Sequence, residues 1–127
     1  MKNELTYKNV YQQFKEQFPD DLPFFTEKER ETGVDATDGA HMQFGMVAVP
    51  YLYHLADISD ETKIRKCFAF FDEMSAASDN ELSAVVQFSI LEGVVSNKVY
   101  LQKLKRFFTG EMKTYLPYLK SYIDFVF

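Results

Sequence analysis

Ser78-Asp79-Asn80-Glu81-Leu82-Ser83-Ala84-Val85-Val86-Gln87-Phe88-Ser89-Ile90-Leu91-Glu92-Gly93-Val94-Val95-Ser96-Asn97 is the stretch on which the fold turns. Its valines and Ile90 suit a β-strand. Its length does not, because strands usually run about 5–6 residues. It also opens with a capping box: Ser78 can accept a backbone N–H at the start of a helix while Glu81, three residues on, reaches back. The reading is a helix. Between Leu82 and Asn97 the only charge is Glu92, so this helix is apolar nearly all round and is expected at the centre of the molecule.

Working outward, Ser59-Asp60-Glu61 starts a preceding helix, with a capping side chain and acids at the positive end of its dipole. Ile64, Cys67, Phe68, Phe71 and Met74 then fall on one face. After Asn97, apolar Val99, Leu101, Leu104, Phe107 and Phe108 interleave with Lys98, Lys103, Lys105 and Arg106 in an amphipathic helix, and Thr109-Gly110 breaks it. A last helix is expected over residues 111–125, bent at Pro117. Towards the N-terminus, residues 41–56 carry no charge. They read as a buried helix interrupted at Pro50, or as a strand over 42–49 followed by a helix with Pro50 in its first turn. Residues 3–18 place Leu5, Tyr7, Val10, Tyr11, Phe14 and Phe18 on one helical face, and Pro19 stops it. Residues 19–40 contain Pro23, Gly33 and Asp38-Gly39 and read as a long acidic connection, with at most a helical turn from Thr26 to Glu31.

The expected fold is therefore all-α, with five to six helices as a bundle or a short stack of helical hairpins. The 127 residues form one domain. Only 5 Gly and 4 Pro argue against a turn-rich sandwich. Aromatic residues reach 17%, from 13 Phe and 8 Tyr without Trp, so some aromatics are expected to face a groove or a partner. The start Met1-Lys2-Asn3-Glu4 lacks a secretory apolar stretch. The longest apolar run, residues 46–53, is far below the roughly 20 residues a membrane helix needs. A soluble, cytoplasmic protein without membrane contact is expected.

Charge is polarised. Residues 19–40 set Asp20, Asp21, Glu27, Glu29, Glu31, Asp35 and Asp38 against Lys28 and Arg30, and residues 57–96 are also acidic, whereas 97–127 are basic; the whole chain carries −5. An acidic face repels phosphates, which argues against nucleic acid and suits a basic protein partner.

No catalytic signature is present: there is no nucleophile elbow, P-loop, dinucleotide fingerprint or zinc-protease motif. Asp35, Asp38 and His41 recur every third residue, but Gly33 and Gly39 oppose a helix that would align them as metal ligands. No metal or cofactor is expected. His54 reads as a partly buried, hydrogen-bonded histidine and Cys67 as a buried structural thiol. Glu92 either pairs with a base of the C-terminal quarter or meets a partner. The bases of residues 98–106 read as a solvated face or as attraction towards the acidic helices of the same fold.

Cys67-Phe68-Ala69-Phe70-Phe71-Asp72-Glu73-Met74, then Ser78-Asp79-Asn80-Glu81 and Phe88-Ser89-Ile90-Leu91-Glu92, resembles a bacterial family of small helical domains of unknown function. Some members look like immunity partners of polymorphic toxins. Gly110-Glu111-Met112-Lys113-Thr114 is similar to the family's glycine-led final helix, with Glu111 where a proline is usual. The resemblance covers residues 57–116 and implies no catalytic residue. It implies a protein–protein binding module, an immunity protein that neutralises a cognate and possibly basic, nuclease-like toxin. The residues expected to meet that toxin are Glu27, Glu29, Glu31, Asp35 and Asp38, with Asp72 and Glu73 as a second patch. The alternative is a structural protein that self-associates, as a homodimer through the C-terminal helix.

Overall fold

Helix starts follow from side chains that satisfy the first free N–H groups, and three of them organise the second half of the chain. In a computed structural model, which describes residues 4–110 and 112–114, the Asp60 carboxylate accepts the Lys63 N–H. Asp79 accepts the Glu81 N–H, and Asn97 accepts those of Val99 and Tyr100. The cap at the second of these starts is thus Asp79, one residue after the expected Ser78. Its other oxygen accepts the Tyr7 N–H at 2.9 Å and ties the N-terminus to this turn.

None of the described residues lies in a strand, and through residue 107 they form six continuous helices. They are α1 (Val10–Glu16), α2 (Leu22–Thr32), α3 (residues 40–57), α4 (Glu61–Ala76), α5 (residues 80–95) and α6 (Lys98–Leu104). Single 3-10 turns, Pro19–Asp21 and Lys105–Phe107, precede α2 and follow α6. The all-α expectation holds, and the strand alternative for residues 42–49 does not. The first helix is shorter than the expected 3–18, because Thr6 to Asn9 form a hydrogen-bonded turn before it. The final helix expected over 111–125, and the homodimer contact expected through it, lie outside the described residues except for 112–114, which are helical.

The largest departure is at residues 19–40. Most of that stretch is helix, and only residues 33–39 connect. Pro23 lies in the first turn of α2, where its missing N–H has no helical acceptor to lose. Gly33, at φ +76°, ends the helix in the left-handed conformation and returns its N–H to the Glu29 carbonyl. Both residues expected to break a helix therefore delimit one.

Phe14 marks the core centre. Its ring lies 5.3–6.3 Å from those of Phe18, Phe25, Phe44, Tyr51, Phe70 and Phe71, which join α1 to α2, α3 and α4. Edge-to-face and offset pairs of this kind add about 0.5–1.5 kcal/mol each beyond burial.

α3 and α5 share an irregularity. Each contains a π-helical segment, Phe44–Ala48 in α3 and Val86–Leu91 in α5, and the two segments pack on one another. In α3 the Val49 N–H donates to the Phe44 carbonyl, five residues back. Widening the turn just before Pro50 relieves the clash its ring would otherwise make one turn earlier.

Candidate functional site

The acidic residues expected to bind a partner are mostly engaged within the fold. Glu27 pairs with Arg30, and Glu31 with Lys28 at 3.0 Å, all on α2. Glu29 turns inward, where its Oε2 accepts the Tyr11 hydroxyl at 2.6 Å and the Lys15 ammonium at 2.8 Å, both from α1. Burial, with this carboxylate beside it, pushes the Tyr11 hydroxyl pKa up. Asp35 accepts the Thr37 hydroxyl and N–H, which hold its carboxyl below the usual range, and Asp38 accepts the Asp35 N–H. These two acids shape the loop. Asp72 accepts the Thr109 hydroxyl at 2.6 Å, fixing the turn that Gly110 enters at φ +52°. Glu73 stays on the exposed side of α4. Glu27, Glu29 and Glu31 thus share one helix, Asp35 and Asp38 the loop after it, and Asp72 and Glu73 a different helix.

The groups considered for chemistry are equally settled. His41 Nδ1 lies 2.8 Å from Ser89 Oγ, while Asp35 and Asp38 bond within their own loop. Among the described residues no group of three His, Cys, Asp or Glu side chains could hold a metal ion. His54 is half-buried, as expected, and its ring stacks on Phe24 with centroids 4.9 Å apart. Cys67 is fully buried, and burial raises its thiol pKa well above the ordinary value. Beneath them, Asp21 accepts the Tyr51 hydroxyl and the Lys63 ammonium, the latter at 2.8 Å. Burial alone would raise the Asp21 carboxyl pKa; the bonds from Lys63 and Tyr51 outweigh it and hold the value below 3.8. Two of the bases after Asn97 reach acids of α3 and α4. Lys103 meets Asp57 at 3.4 Å, and Arg106 meets Glu61 at 3.1 Å.

A cleft of ≈ 250 Å³ opens between α1 and the 33–39 loop, lined by Tyr11, Lys15, Glu29, Asp35 and Gln43 among others. Its charged walls are already joined by the Lys15–Glu29 pair, and Gln43 donates to the Asp35 carbonyl.

Three of the large apolar side chains that the fold leaves exposed lie beside one helix contact. α3 and α5 run parallel and approach closely where side chains are smallest. A Cβ on Gly45 would lie 4.0 Å from that of Ser89, and one on Gly93 would lie 3.1 Å from both γ-carbons of Val49. Positions 41, 45 and 49 of α3 therefore face 89 and 93 of α5. In parallel right-handed helices, the residue after each contact on one and the residue before it on the other turn to the same side. Met42 and Met46 thus line up beside Phe88 and Glu92, at exposures of 47%, 38% and 65% for the three apolar residues. Half-buried Gly45 and Ser89 form the floor between them. Glu92 is exposed and makes no ion pair among the described residues.

A family model described as a domain of unknown function, DUF7674, matches residues 11–124. The chain belongs to the DUF7674 family. The match takes in all but the first residue of α1 and continues through α6, and it indicates neither an immunity role nor a bacterial origin. No curated protein and no solved structure matches the sequence. The exposed Met42, Met46 and Phe88 were not among the residues expected to bind. A signal for Phe88 does exist in the sequence: a lone charge on an apolar helix marks its solvent side, and Phe88 stands one turn before Glu92.

Proposed function

We propose that this DUF7674 domain is a protein-binding module, and specifically an immunity protein that neutralises a cognate bacterial toxin in the cytoplasm. The observation that carries the binding role is the Met42–Met46–Phe88 surface. Large apolar side chains stay in water there although the core beneath is complete, and such patches mark contact sites. The toxin role rests on the resemblance of residues 57–116. It is supported by the net charge of −5, which would steer a basic toxin such as a nuclease towards the domain. Blocking an enzyme's site by occlusion needs no catalytic group, and the domain acts as a binder rather than an enzyme.

The test is affinity capture with the tagged full chain from its source cells, at low and moderate salt, followed by expression of whatever is captured. The expected result is one stoichiometric basic partner, held at moderate salt, that stops growth when expressed alone and is silenced by co-expression with this chain. A captured partner that is harmless on its own removes the toxin role. Recovery of the chain alone, sedimenting as a dimer, would support the structural, self-associating alternative, which the same exposed surface could also serve.

A further inference from the structure

We infer that the furrow between α3 and α5 receives an amphipathic helix of a partner protein, with apolar side chains seated between Met42, Met46 and Phe88 and a lysine or arginine reaching Glu92. The inference rests on the binding-module reading and says where and by what chemistry that module binds.

The furrow has two walls of unequal kind. Methionine on the α3 side is unbranched and polarizable, able to follow the shape of an inserted side chain. Phe88 on the α5 side offers a rigid face with few rotamers to lose. The floor is low because Gly45 has no side chain and Ser89 a short one. Two parallel helices lying close together leave a trough whose axis suits a third helix, and helix-in-groove docking is a recurrent mode of recognition.

Charge selects the partner's sign. Neither α3 nor α5 carries a lysine or arginine anywhere along residues 40–57 or 80–95; their formal charges are Glu81, Glu92 and Asp57, the last already met by Lys103. Glu92 follows Phe88 by one turn on the same face, so a base one turn beyond an apolar anchor on the partner would meet it. A partner helix with acids in that place would bring like charges together without a compensating base.

The probe is a 16-residue leucine/alanine/lysine amphipathic helix, compared with the same peptide in which every lysine is glutamate. Each is titrated into the 15N-labelled full chain. The expected result is saturable binding of the lysine peptide with amide shifts centred on residues 42, 45, 46, 88, 89 and 92. Phe88→Ala should weaken it about tenfold or more, as truncating a central aromatic anchor does. Glu92→Lys should invert the preference towards the glutamate peptide. Gly45→Ala, which the packing accommodates, should also weaken binding by raising the floor. Shifts centred elsewhere, or an affinity indifferent to both Phe88→Ala and Glu92→Lys, would overturn the proposal. It would equally fall if sedimentation showed a dimer dissolved by Phe88→Ala, or if a cross-linker at position 88 reacted with residues 115–127 of the same chain. A cellular partner whose binding ignores Phe88→Ala would remove the furrow and leave the module; a peptide bound in the furrow with no cellular partner would do the reverse.

Discussion

Replacing Glu29 tests whether the acidic helix α2 is a docking face or a structural clamp. The side chain stands between α2 and α1, accepting from Tyr11 at 2.6 Å and Lys15 at 2.8 Å, and it is only 24% exposed. Lys15 also lies 4.7 Å from the centre of the Tyr11 ring. Glu29→Ala removes a hydrogen bond to a charged acceptor, worth about 1.5–3 kcal/mol, and strands the Tyr11 hydroxyl. The half-screened ion pair adds at most about 1 kcal/mol. A loss of about 1.5–4 kcal/mol is expected, a large share of the roughly 5–15 kcal/mol of a typical domain. Glu29→Gln keeps an acceptor for Tyr11 and should lose only about 1 kcal/mol. Urea unfolding followed by far-ultraviolet circular dichroism and tyrosine fluorescence, undisturbed by tryptophan in this chain, reads these values. A cycle with Tyr11→Phe should give a coupling of about 1–2 kcal/mol. The control is Glu27→Ala, whose pair with Arg30 is exposed on both sides and should stay within about 0.5 kcal/mol of the parent. If Glu29→Ala proves as mild as Glu27→Ala, Glu29 is not a clamp, and the reasoning that withdrew it from the docking surface fails.

Four further expectations follow from the same geometry. Gly45→Ala should stabilise by about 0.5–1 kcal/mol through helix propensity alone, whereas Gly93→Ala should destabilise by about 1 kcal/mol or more, since its methyl meets both γ-carbons of Val49 at 3.1 Å; thermal melts of the pair separate the two. On the acid side, Asp21 gives up its proton more readily folded than unfolded, so its contribution is complete above about 3.8 and drains as pH falls through the lower folded value; Asp21→Asn should flatten that limb of the stability curve. On the alkaline side, Tyr11 and Tyr51 have pKa values raised above 10.0, chiefly by burial. Their contribution is intact below that pH and is lost as pH rises, so both should ionise at 295 nm only with unfolding. Cys67 should resist a thiol reagent in the native protein and react at once in denaturant, because it is fully buried with a raised pKa.

Helix content was legible because its signals are local. Asp60 and Asn97 announce their helices through side chains two or three residues from the N–H groups they accept. α2 was missed because Pro23 and Gly33 were weighed as breakers, when a proline in the first turn and a glycine after the last are how a helix begins and ends. The pairs Glu27–Arg30 and Lys28–Glu31 were readable from their three-residue spacing. The engagement of Glu29 and Asp72 was not, since Tyr11, Lys15 and Thr109 lie 14 to 37 residues away. The central helix was expected to be enclosed. One side of it is open at Phe88 and Glu92, and an apolar side chain carries no mark in sequence of whether the fold will cover it.

The paired π segments have a consequence for how this fold tolerates length changes. Each wide turn carries about one residue more than an α-helix of the same height needs. Deleting a single residue from Phe44–Ala48 would let α3 wind uniformly, and the helix itself would survive. Because the wide turn holds that residue as a surplus, the helix beyond it would keep nearly its present height and orientation, whereas the same deletion from an ordinary α-helical turn would rotate it by about 100°. Tyr51 would stay by Asp21 and Val49 by Gly93, contacts that the same deletion in a regular turn would break. The two wide turns are therefore the places where α3 and α5 can each lose one residue of length and stay in step with the rest of the molecule.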